Sequence, residues 1–143
     1  MWVHWLSAGS RHHRRVREFV AARLAAGERL ALVPQVMHEV LHVVTDARRL
    51  DPPATVTATI DALGRLWESA EVERIVPSEH VFPRTLELLQ RYRLGRKRIL
   101  DTALAATLED AGVRRLATFN GADFRVFDFL DIVEPGSTSL PPR

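Results

Sequence analysis

The chain contains no cysteine and only one lysine, Lys97, among its 143 residues. Without cysteine it can form neither a disulfide nor a Cys-ligated zinc site, and a reducing cytoplasm is the simplest expectation for its location. Its apolar runs all fall short of the ~20 residues that a membrane-spanning helix needs, so we expect no membrane partner. The first ten residues also lack the basic start of a secretory signal.

Two common catalytic motifs are missing as well. The sequence has no glycine-rich phosphate loop and no nucleophile elbow around a serine, which argues against a P-loop nucleotide hydrolase and a serine hydrolase. Its hydrophobic fraction is 46%, enough to form a core, and its length fits one domain. We therefore expect a folded domain over 1–134, followed by a flexible tail over 135–143.

Alternating helical and strand patterns predict the fold class. Helices are predicted over 11–26, 34–45, 54–70, 78–94 and 99–111, and strands over 29–33, 72–76, 114–119 and within 129–135. Strands that alternate with helices favour a parallel sheet between helices, which is a three-layer α/β domain. Ligands bind such sheets beyond the carboxyl ends of the strands.

Three acidic residues lie in apolar surroundings: Glu39, Asp101 and Asp123. A carboxylate in such a place is costly unless something pairs with it. A hard divalent cation such as Mg²⁺ takes oxygen ligands and could pair with all three at once. The predicted topology allows the three to meet at one edge of the sheet, so we predict a metal site there.

The basic side chains are almost all arginine, which suits the bidentate binding of phosphate. They form two clusters, over 11–17 and 91–98. Either cluster could equally be a solvated helix face in an arginine-rich composition. The second precedes Asp101 closely, which favours a phosphate-binding role for Arg96, Lys97 and Arg98.

The segments 34–45, 93–112 and 115–124, with a closing strand, resemble a PIN-domain nuclease of the VapC toxin type. The similarity extends from about residue 3 to residue 134. Its most specific parts are Gly-Arg-x-x-x-x-Asp before an Ala/Leu helix and the Thr-Phe-Asn-x-x-Asp-Phe turn. The resemblance implies an endoribonuclease that depends on Mg²⁺ or Mn²⁺, is held inactive by a cognate antitoxin and is often a homodimer.

The resemblance also implies roles for particular residues. Glu39, Asp101 and Asp123 match the second, third and fourth acidic positions of the family, and would hold the metal and carry catalysis. Asn120 matches a polar partner of that site, and Thr118 belongs to the same supporting turn. Arg96, Lys97 and Arg98 would bind the RNA backbone.

The family's first aspartate has no counterpart, because no acidic residue precedes Glu18. Two explanations remain open. The start of the chain was assigned too late, so that the first strand and its aspartate lie upstream; this is the explanation we favour. Alternatively, the chain lacks that strand and is an impaired PIN module that binds antitoxin or RNA without cleaving it.

A third hypothesis comes from the segment HEVLH, 38–42, which matches the H-E-x-x-H pattern of zinc peptidases. His38 and His42 lie one helical turn apart and could bind zinc, with Glu39 as general base. The extended form of the motif is absent, because Thr45 occupies the place of its glycine. We therefore rank this hypothesis below the nuclease.

Overall fold

The computed structural model of the protein describes residues 1–136. The predicted flexible tail, 135–143, therefore lies outside the described residues except for its first two positions. Within residues 1–136 the chain forms helices α1 Trp2–Leu6, α2 His13–Ala25, α3 Pro34–Val44, α4 Val56–Trp67, α5 Val81–Arg91 and α6 Ile99–Asp110, strands β1 Leu30–Leu32, β2 Val72–Arg74, β3 Arg115–Ala117 and β4 Asp131–Val133, and two short 3-10 helices, Arg96–Arg98 and Gly121–Asp123.

Local sequence signals explain where several helices begin and end. Helix α3 begins at Pro34, which is tolerated there because the first turn has no intrahelical use for its missing N–H. The Thr55 hydroxyl caps α4 by accepting a hydrogen bond of 3.2 Å from the Ala58 amide. Gly27 and Gly112 follow α2 and α6 with φ of +79° and +69°, a left-handed conformation that glycine adopts without steric cost.

The strands are short and pair in parallel, which confirms the α/β fold class. Strand β1 pairs with β2, with Leu30 opposite Val72, and β3 pairs with β4, with Arg115 opposite Asp131. Each strand has three residues, and the two pairs form separate two-stranded sheets. The predicted strands are longer because their apolar pattern continues past the last paired residue. One hydrogen bond between the two segments also lies beyond β2, from the Ile75 amide to the Leu32 carbonyl at 2.8 Å.

Two hydrophobic clusters stabilise the domain. The first centres on residues of α2, α3 and α4, including Val16, Val44 and Leu63. The second centres on α5, α6 and the segment before β4, including Leu88 and Phe127. Val36 on α3 packs against both clusters, so α3 connects the two halves of the core.

The pairing of α5 with α6 is reinforced by a bidentate ion pair. Arg84 Nε and Nη2 donate to the two carboxylate oxygens of Glu109 at 2.7 and 2.9 Å. These hydrogen bonds raise the pKa of the Arg84 guanidinium further above its usual range. The pair fixes the C-terminal end of α6, and the opposite end of that helix carries Asp101. Across residues 1–136, none of the helices is both long and apolar enough to cross a membrane.

Candidate metal centre

Each of the three predicted metal ligands is carried by a different element. Glu39 lies in the middle of α3, and Asp101 lies in the first turn of α6. Asp123 ends the 3-10 helix that follows β3. The first turn of a helix favours a negative charge because its backbone N–H groups have no intrahelical acceptor and carry a partial positive charge. The fold therefore provides a suitable position for the Asp101 carboxylate.

Arg98 lies between two of these carboxylates. Its Nε is 3.5 Å from Asp101 Oδ2, and its Nη1 is 3.4 Å from Asp123 Oδ1. The exposed fractions of the three side chains are 24% for Arg98, 31% for Asp101 and 38% for Asp123. The partly buried guanidinium thus joins α6 to the turn after β3, and the two aspartates share one cation.

The pKa of Asp101 responds to the charges of both Glu39 and Asp123. Burial raises this pKa above the usual value of an aspartate, the negative charges of Asp123 and Glu39 raise it further, and Arg98 lowers it. Two carboxylates within electrostatic range of a third favour its protonated form. Glu39 and Asp123 therefore both lie within electrostatic range of Asp101, although the three come from distant segments.

This pKa predicts how the stability of the metal-free protein depends on pH. A raised pKa means that the folded state binds more protons than the unfolded state, so the free energy of unfolding falls as pH rises through the range between the two pKa values. We expect Asp101→Asn to become more stable relative to wild type as pH rises from about 3 to 7. Urea unfolding in EDTA at several pH values measures the free energy of unfolding of the variant relative to wild type. A relative stability of the variant that decreases with rising pH would contradict the prediction.

The turn that carries Asp123 is built from side-chain and backbone hydrogen bonds. Asn120 Nδ2 donates a hydrogen bond to Asp123 Oδ2, which orients the carboxylate. Thr118 Oγ1 accepts one of 3.0 Å from the Asn120 amide. A Cβ on Gly121 would lie 2.9 Å from Ile132 Cγ2, so β4 packs too closely for a larger residue. Asn120 and Thr118 thus hold the turn that carries Asp123.

A cavity of about 1320 Å³ opens beside these groups. Its lining includes Glu39, Asp101, Thr118, Asn120 and Lys97. Asp123 does not line the cavity, but it accepts a hydrogen bond from Asn120, which does. The cavity therefore gives a ligand access to the acidic groups while most of the surrounding wall is apolar.

The three predicted RNA-binding cations occupy one 3-10 helix but face different surroundings. Arg96 and Lys97 are exposed, and Lys97 lines the cavity. Arg98 is half-buried and contacts Asp101 and Asp123 instead of solvent. Lys97 and Arg96 are accordingly available to a phosphate backbone without any rearrangement.

The donor set suits a hard divalent cation, although the three side chains do not converge on one point. In the part of the chain that the structure describes, no three His, Asp or Glu side chains lie close enough together to hold a metal ion. The chemistry nevertheless fits, because Glu39, Asp101 and Asp123 supply only oxygen ligands. The apolar surroundings expected for Glu39 are not observed, since this residue is exposed on α3, whereas Asp101 and Asp123 are partly buried and face a cation. Arg98 supplies that positive charge to the two aspartates.

The structure does not support the zinc-peptidase hypothesis. His38 and His42 are both exposed on α3, and only His38 borders the cavity. Within residues 1–136, no third histidine or carboxylate completes a metal site with them. A catalytic zinc needs three protein ligands, so HEVLH is better explained as a helix face on either side of Glu39.

Sequence reasoning missed one contact that positions this site. Gln35 Nε2 donates a hydrogen bond of 3.0 Å to the Leu100 carbonyl, which ties the start of α3 to the turn that carries Asp101. No sequence motif predicts this contact, because the two residues are far apart in the sequence. The contact between Arg98 and Asp101 could have been inferred from the sequence, since the two residues are three apart and lie on one side of a helical turn.

Comparison with known proteins agrees with this arrangement. The PIN domain family matches residues 1–130. Comparison with curated protein sequences gives no significant match. The family match covers most of the chain, including all three acidic residues and the elements that carry them, so the chain belongs to the PIN domain family.

Proposed function

We propose that the protein is a Mg²⁺- or Mn²⁺-dependent endoribonuclease and acts as the toxin of a toxin–antitoxin pair. PIN domains are in general metal-dependent nucleases. The observation that carries the proposal is geometric: Asp101 and Asp123 face one guanidinium, that of Arg98, and Asp101 and Glu39 line the same cavity. Such a cluster is unfavourable without a cation, so its presence beside an open cavity supports a metal-binding role.

The chain's own residues account for the chemistry that a phosphodiester hydrolase needs. Glu39, Asp101 and Asp123 would hold the metal, and Asn120 keeps Asp123 oriented towards it. A bound divalent cation supplies Lewis-acid stabilisation of the phosphate and lowers the pKa of a bound water. Lys97 and Arg96 would hold the flanking phosphates of the RNA and so keep the scissile bond beside the carboxylates.

The proposed partners follow from the same assignment. RNA is the substrate, a cognate antitoxin is the inhibitor, and a second copy of the chain completes a homodimer in the cytoplasm. The toxin role itself is supported by the resemblance to VapC-type proteins.

An alternative is a PIN module that binds RNA or antitoxin without cleaving RNA. It is favoured by the arrangement of the carboxylates, since among residues 1–136 no three His, Asp or Glu side chains lie close enough together to hold a metal ion. The two functions differ in one result: the module would retain labelled RNA in a binding assay but leave it intact with Mn²⁺.

Metal removal tests the proposed activity. We expect the purified chain to cut a structured RNA internally with Mg²⁺ or Mn²⁺, and to lose this activity in EDTA, because the proposed mechanism relies on the metal to stabilise the phosphate and to lower the pKa of the attacking water. Gel analysis of end-labelled RNA shows whether cuts are internal. Restoring Mn²⁺ after EDTA should restore cleavage. Cleavage that persists in EDTA would contradict the proposal, and intact RNA under every condition would favour the non-catalytic module.

A further inference from the structure

Arg98 has an unusual position for a residue in a basic cluster. Its guanidinium contacts two carboxylates, but at 3.4 and 3.5 Å, longer than the distances of about 2.7–2.9 Å in strong charge-assisted hydrogen bonds. Its Nε and Nη2 atoms are buried and have no hydrogen-bond partner. Buried donors that lack a partner are costly, so Arg98 is held by charge rather than by good hydrogen bonds.

A divalent cation would need the same carboxylate oxygens that Arg98 now faces. The guanidinium and the metal carry charge of the same sign, so both cannot occupy the space between Asp101 and Asp123. One guanidinium offsets only one of the two negative charges, so the site keeps a net negative charge that attracts a cation when both aspartates are ionised. A metal that bridges the two aspartates would therefore compete with Arg98 for them.

The displaced side chain has a suitable new partner nearby. Arg98 lies on the same 3-10 helix as Arg96 and Lys97, which are exposed. A phosphate group accepts bidentate hydrogen bonds from a guanidinium, and Arg98 has two donors without partners to offer. An RNA phosphate beside the cavity would satisfy these donors as the metal takes over the carboxylates.

We propose that Arg98 is an internal counter-cation that occupies the metal site in the free protein and moves to an RNA phosphate when the metal binds. This inference rests on the proposed function, because it takes Asp101 and Asp123 to be metal ligands. It couples the two binding events: metal binding releases Arg98 for the RNA, and RNA binding draws Arg98 away from the carboxylates. Arg98 is then a positioning residue for both ligands.

The variant Arg98→Gln separates this role from a purely structural one. Without the competing guanidinium, we expect Mn²⁺ affinity in the absence of RNA to rise about tenfold, which corresponds to about 1.4 kcal/mol. RNA affinity in Ca²⁺ or without metal should fall, because a phosphate contact is lost. Free Mn²⁺ measured by electron paramagnetic resonance and RNA binding measured by fluorescence anisotropy provide the two values without any turnover.

The matched control is Arg96→Gln, which removes the same charge from the same 3-10 helix but makes no contact with either aspartate among the described ion pairs. It should weaken RNA binding and leave Mn²⁺ affinity within about twofold of wild type, because an exposed charge is screened by salt. An equal rise in Mn²⁺ affinity for both variants would mean a general charge effect and would overturn the role of Arg98.

A second variant keeps the test decisive if Arg98→Gln does not fold. Arg98→Lys keeps the positive charge, but an ammonium cannot span two carboxylates as a guanidinium does, so Mn²⁺ affinity should still exceed that of wild type. Unchanged Mn²⁺ affinity in the folded variants overturns the inference and leaves the nuclease proposal intact. Absence of Mn²⁺ binding in wild type and variants alike overturns the metal site, and the inference with it.

Discussion

Asp101→Asn is expected to lower the rate of RNA cleavage by at least about 100-fold, because metal stabilisation of the transition state is worth several kcal/mol and each 1.36 kcal/mol is tenfold in rate. Asp101 is the central member of the cluster, since the charges of both Glu39 and Asp123 act on it. The substitution removes the negative charge that the metal needs. It keeps nearly the same side-chain shape.

The same variant should remain folded, which distinguishes a lost activity from a lost structure. Burial and neighbouring carboxylates already disfavour the ionised form of Asp101, so the neutral amide costs the metal-free fold little or stabilises it. Asp110→Asn is the matched control, because Asp110 is exposed at the opposite end of α6 and should leave cleavage unchanged. Cleavage by Asp101→Asn at the wild-type rate, in a preparation free of other nucleases, would rule out the catalytic assignment.

Phe127→Ala should lower the free energy of unfolding by about 3–5 kcal/mol, the usual cost of removing a buried phenylalanine ring. Phe127 is 1% exposed and its ring lies between those of Tyr92 and Phe129, at centroid distances of 5.7 and 5.9 Å. Its amide also donates to the Phe124 carbonyl at 3.0 Å, directly after the turn that carries Asp123. The cavity left by the ring would therefore weaken the support of the metal site as well as the core.

Urea unfolding monitored by circular dichroism measures this loss, with Phe82→Ala as the control. Phe82 on α5 is 70% exposed, so its removal should change the free energy of unfolding by no more than about 0.5 kcal/mol. A similar loss for both variants would mean that the aromatic cluster around Phe127 contributes no special stability.

The helices that the sequence predicts best are those with a complete local pattern. The predicted helix over 99–111 agrees with α6, Ile99–Asp110, because an Ala/Leu repeat fills its interior and Gly112 ends it. Helix α1, Trp2–Leu6, had no prediction. A helix of five residues has no detectable period, and its stability comes from tertiary contacts such as the burial of Trp2.

The sequence proposed members for the candidate site but only part of their arrangement. Apolar surroundings and the order of motifs singled out Glu39, Asp101 and Asp123 as candidates, and their roles as metal ligands remain a prediction. The place of Arg98 was not predicted, since a run of basic residues looks like one solvated surface. Which of three adjacent cations turns inward depends on the packing of α6 against the turn after β3, and that contact is not encoded locally.

The most direct measurement of the central claim is a crystal structure of the protein with Mn²⁺, located by its anomalous scattering. We predict one ion bound by carboxylate oxygens of Asp101 and Asp123, with Glu39 reaching it directly or through one water, and with the Arg98 guanidinium moved away from both aspartates. An ion bound elsewhere, or intact contacts of Arg98 with Asp101 and Asp123 at a Mn²⁺ concentration that supports RNA cleavage, would contradict the account.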